Sequence, residues 1–340
     1  MAKVRVAING FGRIGRNVFR AIYGRDDIEV VAINGLADAE AMAYLGKYDS
    51  TQGIFQADFK ALDSDTLSLD GRIIPVSHFR TPGEIEWPNE PQVVIEATGK
   101  FRKRHSDKGG FGDHLKGSVK KVVLTAPSKD TIDRMIVLGV NDEELRPEDI
   151  FVSNASCTTN CLAPVVKVLH EQYGIERGYM TTVHSYTNDQ RILDSSHKDL
   201  RRARAAAVSQ IPTTTGAAKA MGLIMPELDG LLDGISVRVP TPTGSLVDLV
   251  CDLKKEVSPE EINAAMKAAA EGELKGILRY TEDPIVSVDI VHDPHSSIFD
   301  ALSTKVNGKM IKVLAWYDNE WGYSCRIADL CKMVIEVGCK

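Results

Sequence analysis

The chain has 340 residues, 43% of them hydrophobic and 26% charged, with a net charge of −6 and a pI near 5.8. That length suits about two domains, each able to bury its own core. The acidic balance leaves no global basic field to draw the chain to nucleic acid or to an anionic membrane, so neither is expected as a partner. No apolar run approaches the roughly 18–20 residues that a membrane span needs. The opening MAKVRVAING has no long apolar segment ahead of its glycines, so a secretory signal is not expected and a cytoplasmic protein is. Six cysteines, Cys157, Cys161, Cys251, Cys325, Cys331 and Cys339, are spread over this length and read as reduced thiols rather than a disulfide framework.

In chain order, residues 3–9 form a β-rich run, and 11–23 have helical spacing with Ile14, Val18 and Ile22 on one face. A second, continuously apolar strand follows at 28–34, and the pattern recurs at 92–98, 121–125 and 134–140. Continuous rather than alternating strands, linked by helices, predict an α/β parallel sheet covered on both faces. Residues 60–90 look more antiparallel, with a turn at Asp70-Gly71. After Ser156 the texture changes: a helix over about 157–172, then YMTTVHSYT, then the basic HKDLRRARAAA with Arg201, Arg202 and Arg204. Alternating strands are expected at 234–239, 245–253, 285–289 and 311–317, and Ser258 caps a helix with an acidic first turn. This second half reads as α+β with a mostly antiparallel sheet. The boundaries expected are a dinucleotide-binding domain over 1–156, a catalytic domain over 157–320, and a final helix over 321–340 packing back on the first domain.

Gly10-Phe-Gly12-Arg-Ile-Gly15 follows a strand and opens a helix, the context that the dinucleotide fingerprint requires. Gly10 permits the tight turn, Gly12 lets the backbone approach a pyrophosphate, and Gly15 lets helix and strand pack closely. The bland alternative is an ordinary strand-to-helix turn. An acid that holds the adenosine ribose should lie about 20 residues further on. Gly35 stands there instead, and Asp38 and Glu40 come too late.

SNASCTTNC, residues 153–161, is the sharpest feature. Small polar residues surround Cys157 where a helix begins, and a helix N-terminus lowers a thiol pKa, which makes Cys157 a candidate nucleophile. Cys161, one turn inside the helix, suits a buried structural thiol. No further ligands at close spacing suggest a metal, so none is expected. His184, at a strand end, is a candidate base for the thiol. The arginines of HKDLRRARAAA, the hydroxyl-rich stretch Thr213–Gly216 at the mouth of a helix, and Arg238 before Pro240 together point to a phosphorylated substrate, although a charge run is by itself more often a solvated face.

INGFGRIGR, SNASCTTNCLAP, TTVHSYTNDQ, DLRRARAAA, PTTTGAAKA, RVPTP and WYDNEWGYS, in that order from about residue 3 to 335, closely resemble the phosphorylating glyceraldehyde-3-phosphate dehydrogenase family. The resemblance implies that Cys157 attacks the aldehyde of D-glyceraldehyde 3-phosphate and that His184 activates the thiol. Hydride then passes to a nicotinamide, and inorganic phosphate cleaves the thioester to give 1,3-bisphosphoglycerate. It assigns Thr187, Asp189 and Arg238 to the substrate phosphate, and Ser156, Thr158, Arg202, Thr215 and Gly216 to inorganic phosphate. The cofactor residues it implies, besides Gly10, Gly12 and Gly15, are Arg13, Ile14, Arg80 near the adenine, Thr125 near the ribose, Asn319 at the amide and Tyr323 beside the ring. A homotetramer is implied, with the segment from about 185 to 207 packed across a subunit interface beside the neighbour's cofactor.

Two departures bear on the cofactor. Members that use NAD carry an acid where Gly35 stands, and Leu-Pro where this chain has Ser195-Ser196. The pair of changes resembles the branch that uses NADP, with NAD as a possible second cofactor. FRKRHSDKGGFGDHL and PTPTGSLVDL also depart from the family pattern, with no functional account from sequence. Within the same scaffold the alternative is an erythrose-4-phosphate dehydrogenase, and in another class a non-catalytic nucleotide-dependent regulator.

Overall fold

The structure, a computed structural model, describes residues 3–338; Cys339 and the end of the expected final helix lie outside them. It divides into two compact units, one made of residues up to 136, 143–155 and 324 onward, the other of 137–142 and 156–323.

The first unit holds β1 (Val4–Asn9), α1 (Arg13–Ile22), β2 (Ile28–Asn34) and α2 (Ala39–Lys47). A small ribbon, β3 (Tyr48–Asp49) with β4 (Gly53–Ile54), leads to β5 (Phe59–Asp63), β6 (Thr66–Leu69) and β7 (Arg72–Ser77). Then come β8 (Val93–Glu96), β9 (Lys121–Leu124), β10 (Arg134–Met135) and β11 (Phe151–Ser153). The sheet order is β10-β11-β9-β8-β1-β2-β7-β6-β5. From β1 the chain moves to β2 on one side and later returns to β8 on the other, with β1 parallel to both. That reversal is the switch point at which such sheets bind nucleotides, at the carboxyl ends of the strands. Burial explains the apolar runs: every residue of β8 and β9 is buried, as a sheet covered on both faces demands. The antiparallel hairpin β6–β7 turns at Asp70-Gly71, where both residues have positive φ.

The second unit opens with α3 (Cys157–Tyr173) and continues with β12 (Ile175–Ser185), β13 (Ile211–Thr214), α4 (Met221–Ile224), β14 (Leu232–Val239) and β15 (Ser245–Leu253). It ends with α5 (Pro259–Glu271), β16 (Leu278–Thr281), β17 (Ser297–Asn307) and β18 (Met310–Tyr317). Its sheet runs β13-β14-β12-β15-β18-β17-β16. Only the β12–β14 and β16–β17 pairs are parallel, so the sheet is mostly antiparallel, as expected. In β15, buried and half-buried residues alternate strictly, the mark of a sheet with one covered face. The last helix, α6 (Trp321–Gly338), starts in the second unit, and its residues from Ser324 on belong to the first. There Asp329 and Lys332 pair with Arg25 and Asp27 at 2.6 and 3.3 Å. Among the described residues no helix is long and apolar enough to cross a membrane.

Several expectations need correction. The strand expected over 134–140 is two residues long. The chain then leaves the sheet because the Val137 N–H goes to the Asn141 side chain at 2.9 Å and Gly139 turns with φ +81. Residues 285–289 are not a strand: Ser287–Ile290 form a turn of 3-10 helix, closed when the Asp289 carboxylate accepts the Val286 N–H at 2.8 Å. Thr213 and Thr214 lie in the edge strand β13, whose Pro212 an edge tolerates, and the helix starts only at Met221. The basic FRKRHSDKGGFGDHL segment is structural. Arg104 pairs with Asp133 and stacks over the Phe151 ring at 4.5 Å. Gly110 and Gly112 sit so close to the Arg104 carbonyl that a Cβ would come within 2.2 and 2.8 Å of it.

Candidate active site

Helix α3 delivers Cys157 as its first residue. Ser156 caps it, its Oγ accepting the Thr159 N–H at 3.1 Å and meeting the Thr159 hydroxyl at 2.7 Å. Strand β12 delivers His184 one residue before its end, and Cys157 Sγ lies 3.6 Å from His184 Nε2. The next strand, β14, pairs in register with β12 so that Arg238 stands directly beside His184. Arg238 Nη1 is 2.5 Å from His184 Nδ1 and donates to the Ser185 carbonyl at 3.0 Å; Nδ1 itself is 2.6 Å from that carbonyl. A carbonyl only accepts and a guanidinium only donates. The two neighbours therefore ask opposite things of Nδ1. With the proton facing the carbonyl, the Nε2 lone pair faces the thiol and can accept its proton.

The electrostatics hold both partners neutral at rest. Burial pushes the Cys157 thiol up, against the pull of Arg238 and of bonds at Thr158 and at its own N–H, so the lowered thiol expected from the helix end is outweighed. Burial, then the Arg238 charge, bring His184 down to about 3, against its bond to Ser185. Tyr317, at the end of β18, links the segments that carry the pair. Its hydroxyl bonds Thr158 and Thr182, each at 2.8 Å, and its ring lies edge-on to His184 at 6.0 Å. Nothing in the sequence reading singled out Tyr317. Cys161 is a buried free thiol on Ser297 and the Ala315 carbonyl at 3.5 and 3.6 Å.

Of the charged groups named from sequence, Arg202 and Asp189 share one field with Arg238, which also feels Cys157 and Tyr317, whereas Arg204 pairs with Asp194 at 2.9 Å. Arg202 bonds Asp189 and, at 2.8 Å, the Thr213 hydroxyl. Thr187 is exposed in the same turn, its N–H donating to Gln190 at 3.2 Å. Thr215 accepts the Ala217 N–H at 3.2 Å, and beside it a Cβ at Gly216 would meet nothing within 4 Å. Asn319 accepts from Ser245 at 2.8 Å, and Ser245 in turn accepts the Ser185 N–H at 3.1 Å, which links the amide to the residue after His184. Tyr323 is buried in the first turn of α6. Ser195 and Ser196 are exposed, the Ser195 N–H donating to the Ala203 carbonyl at 3.0 Å and the Ser196 carbonyl accepting from Arg191 at 3.2 Å. Among the described residues no cluster of three or more His, Cys, Asp or Glu side chains forms a metal site.

In the first unit a pocket opens at the switch point, lined by Asn9 to Gly12, Asn34 to Ala37, Met42, Leu45, Phe79, Arg80, Thr98, Lys100 and Phe101. Gly10 has φ +97 and lies against Thr98, where a Cβ would come within 2.8 Å. A Cβ at Gly12 would meet nothing within 4 Å, so the backbone there is open to a ligand. At Gly15 a Cβ would sit 2.0 Å from the Gly10 carbonyl, which seats α1 on the loop. These residues fit a bound pyrophosphate at the N-terminus of α1. The Arg13 side chain turns to Asp49 and Thr51 at 2.6 and 2.5 Å. The Thr125 hydroxyl is held by the Glu96 carbonyl at 3.1 Å.

Comparison with known proteins identifies the family of the chain. Residues 4–104 match the family described as glyceraldehyde 3-phosphate dehydrogenase, NAD binding domain, and residues 156–319 match its C-terminal domain. The chain is 57% identical over 338 residues to a glyceraldehyde-3-phosphate dehydrogenase of Geobacillus stearothermophilus, covering 98% of this chain and 99% of that one. It is 56% identical over 339 residues to the protein of that name from Borreliella burgdorferi, covering 98% and 100%, and 55% identical over 337 residues to glyceraldehyde-3-phosphate dehydrogenase 1 of Bacillus cereus, covering 98% and 99%.

Proposed function

This chain belongs to the glyceraldehyde-3-phosphate dehydrogenase family, oxidoreductases that work with a nicotinamide cofactor, and from that premise we propose that it takes NADP in preference to NAD and acts through a covalent Cys157 thioester. Cys157 Sγ, 3.6 Å from His184 Nε2, gives up its proton to that nitrogen as it attacks the aldehyde carbon, forming a hemithioacetal. His184 returns that proton to the aldehyde oxygen, which becomes the hemithioacetal hydroxyl, and its freed Nε2 takes the proton again as the carbon is oxidised to a thioester. The nicotinamide, when bound, accepts the hydride. Inorganic phosphate attacks the thioester carbon, the C–S bond breaks to release the acyl phosphate, and the Cys157 sulfur takes the proton back from His184. Arg238 and Arg202 supply the positive charge for the two phosphates, with Thr187, Asp189, Ser156, Thr158, Thr215 and Gly216 as their polar surroundings. Gly10, Gly12, Arg13, Ile14, Gly15, Arg80, Thr125, Asn319 and Tyr323 are assigned to the cofactor.

The cofactor preference rests on one observation. Among the described residues the pocket at the carboxyl ends of β1 and β2 is lined by two exposed cations, Arg80 and Lys100, and by no carboxylate. Asp38, the nearest acid after Gly35, is spent as the N-cap of α2, accepting the Ala41 N–H at 2.8 Å. A 2′-phosphate meets no like charge there, whereas a carboxylate at 35 would repel it. The exposed hydroxyls of Ser195 and Ser196, presented by a neighbouring copy, are its proposed donors. Assembly of four chains is supported by the apolar exposure of that segment: Ile192 and Leu200 are 84% and 81% exposed. Steady-state kinetics with glyceraldehyde 3-phosphate, phosphate and each cofactor tests the reading. The ratio of kcat/KM is expected to favour NADP by about tenfold, the size of a modest like-charge contact, and a ratio at or below one overturns it.

A further inference from the structure

We propose that Met42 is a determinant of cofactor choice: its terminal methyl occupies the place where residue 35 would carry a side chain, and so keeps an acid out of the pocket. This deepens the NADP reading and rests on it.

The backbone at Gly35 is fixed. Its N–H donates to the Ser77 carbonyl at 2.9 Å, and its own carbonyl is bonded by His78 Nδ1 at 2.9 Å. A Cβ built there would lie 2.6 Å from Met42 Cε, closer than real contacts allow, while the nearest atoms of Phe11 stand off at 3.7 Å. The obstruction is therefore a single methyl group. Met42 is only 3% exposed and lines the pocket, so the room into which its methyl can swing is the pocket itself, which the nucleotide takes up in this reading.

Helix α2 sets that position. Asp38 caps it, and one turn beyond Met42 on the same face stands Gly46. A Cβ at Gly46 would meet the Phe59 ring at 2.4 Å, so the missing side chain lets the helix lie directly on that ring. Phe59 packs in turn on Phe19 of α1, with ring centroids 4.9 Å apart. The seating of α2 on Phe59 thus holds the Met42 methyl against Gly35. An acid introduced at 35 must displace that methyl before it can face a ribose hydroxyl, and the thioether offers the hydroxyl only a weak acceptor. The ligand group that the pair selects on is the 2′-substituent of an adenosine.

A double-mutant cycle on the full-length protein tests this by equilibrium calorimetry, with NAD and NADP alone and no aldehyde. The four forms are wild type, Gly35→Asp, Met42→Ala and the double variant. Gly35→Asp alone is expected to gain little NAD affinity, and the double variant is expected to exceed the product of the two single effects by about tenfold. Coupling of about threefold or more supports the proposal, and anything smaller, including full NAD affinity from Gly35→Asp alone, overturns it. Met42→Val, which also removes the terminal methyl, repeats the cycle if Met42→Ala does not stay folded. If Gly35→Asp does not fold, Gly35→Ala carries the steric part alone. It should lower the melting temperature in the wild-type background and leave it unchanged in the Met42→Ala background; equal losses in both overturn the proposal. The wild-type NADP-to-NAD affinity ratio, read from the same titrations, tests the cofactor reading separately, since the coupling is defined whichever cofactor the wild type prefers.

Discussion

At Cys157 two local effects oppose each other, and burial prevails over the helix end and Arg238. Because the thiol is raised, the thiolate of the unliganded enzyme should form only above the ordinary thiol range. Alkylation by iodoacetamide followed against pH should rise late, and Arg238→Gln should move the profile later still, since Arg238 is what draws the thiol down. A profile unmoved by that change would remove Arg238 from the electrostatics of the Cys157 thiol. His184 has the other sign. Its folded value near 3 lies below the ordinary 6.5, so the unfolded chain binds the extra proton first. The stability that this neutral, buried imidazole contributes is fully present above about pH 6.5 and is lost as the pH falls toward 3. His184→Gln should therefore flatten the acid side of the stability curve measured by urea unfolding, and an unchanged acid limb would show that other groups govern it. Cys157 and His184 were legible because each sits in a short motif with a stated chemistry. The contact of Arg238 with His184 was not, because it arises from register between β12 and β14, which joins residues 54 apart in the chain.

The elements that sequence patterns revealed are those with one dominant physical signal. β1, β2, β8 and β9 are mostly apolar because the sheet is covered on both faces, and α5 shows its capping box in Ser258 and Glu261. Where a side chain competes for the backbone the patterns failed, as at Asn141 beside the shortened β10 and at Asp289 in the turn of 3-10 helix. Helix α3 offers a measurable case of such a side chain working for the element. Ser156→Ala removes the acceptor of the Thr159 N–H and should cost about 1 kcal/mol. In a unit of this size that is a drop of about 2–4 °C in melting temperature by calorimetry. No drop would mean that the Thr159 hydroxyl or the surrounding packing already satisfies the helix end.

For the whole molecule, the apolar groups on the segment after β12 are the feature that a single chain does not use. Leu193 and Val208 are 77% and 80% exposed, beside Ile192 and Leu200. Light scattering coupled to size exclusion should give the mass of four chains for the wild type, and Leu200→Asp should lower it, because burying an unpaired carboxylate in such an interface costs several kcal/mol. A mass unchanged by that substitution would take Leu200 out of the interface. Sequence texture could not have shown this surface, because isolated leucines and isoleucines in a loop look the same whether a neighbour covers them or not.

The path of α6 has a consequence for how the protein is made. Arg25 and Asp27 lie between α1 and β2 and leave the ribosome early, yet their partners Asp329 and Lys332 lie on the last helix. Between the two the entire second unit must be translated, which takes roughly 10–30 seconds at about 5–20 residues per second. During that interval the nucleotide-binding unit exists without the helix whose Ile327, Leu330, Cys331 and Val334 are buried in the finished chain. Its completion is thus a late event in synthesis, timed by the emergence of α6 rather than by that of its own strands.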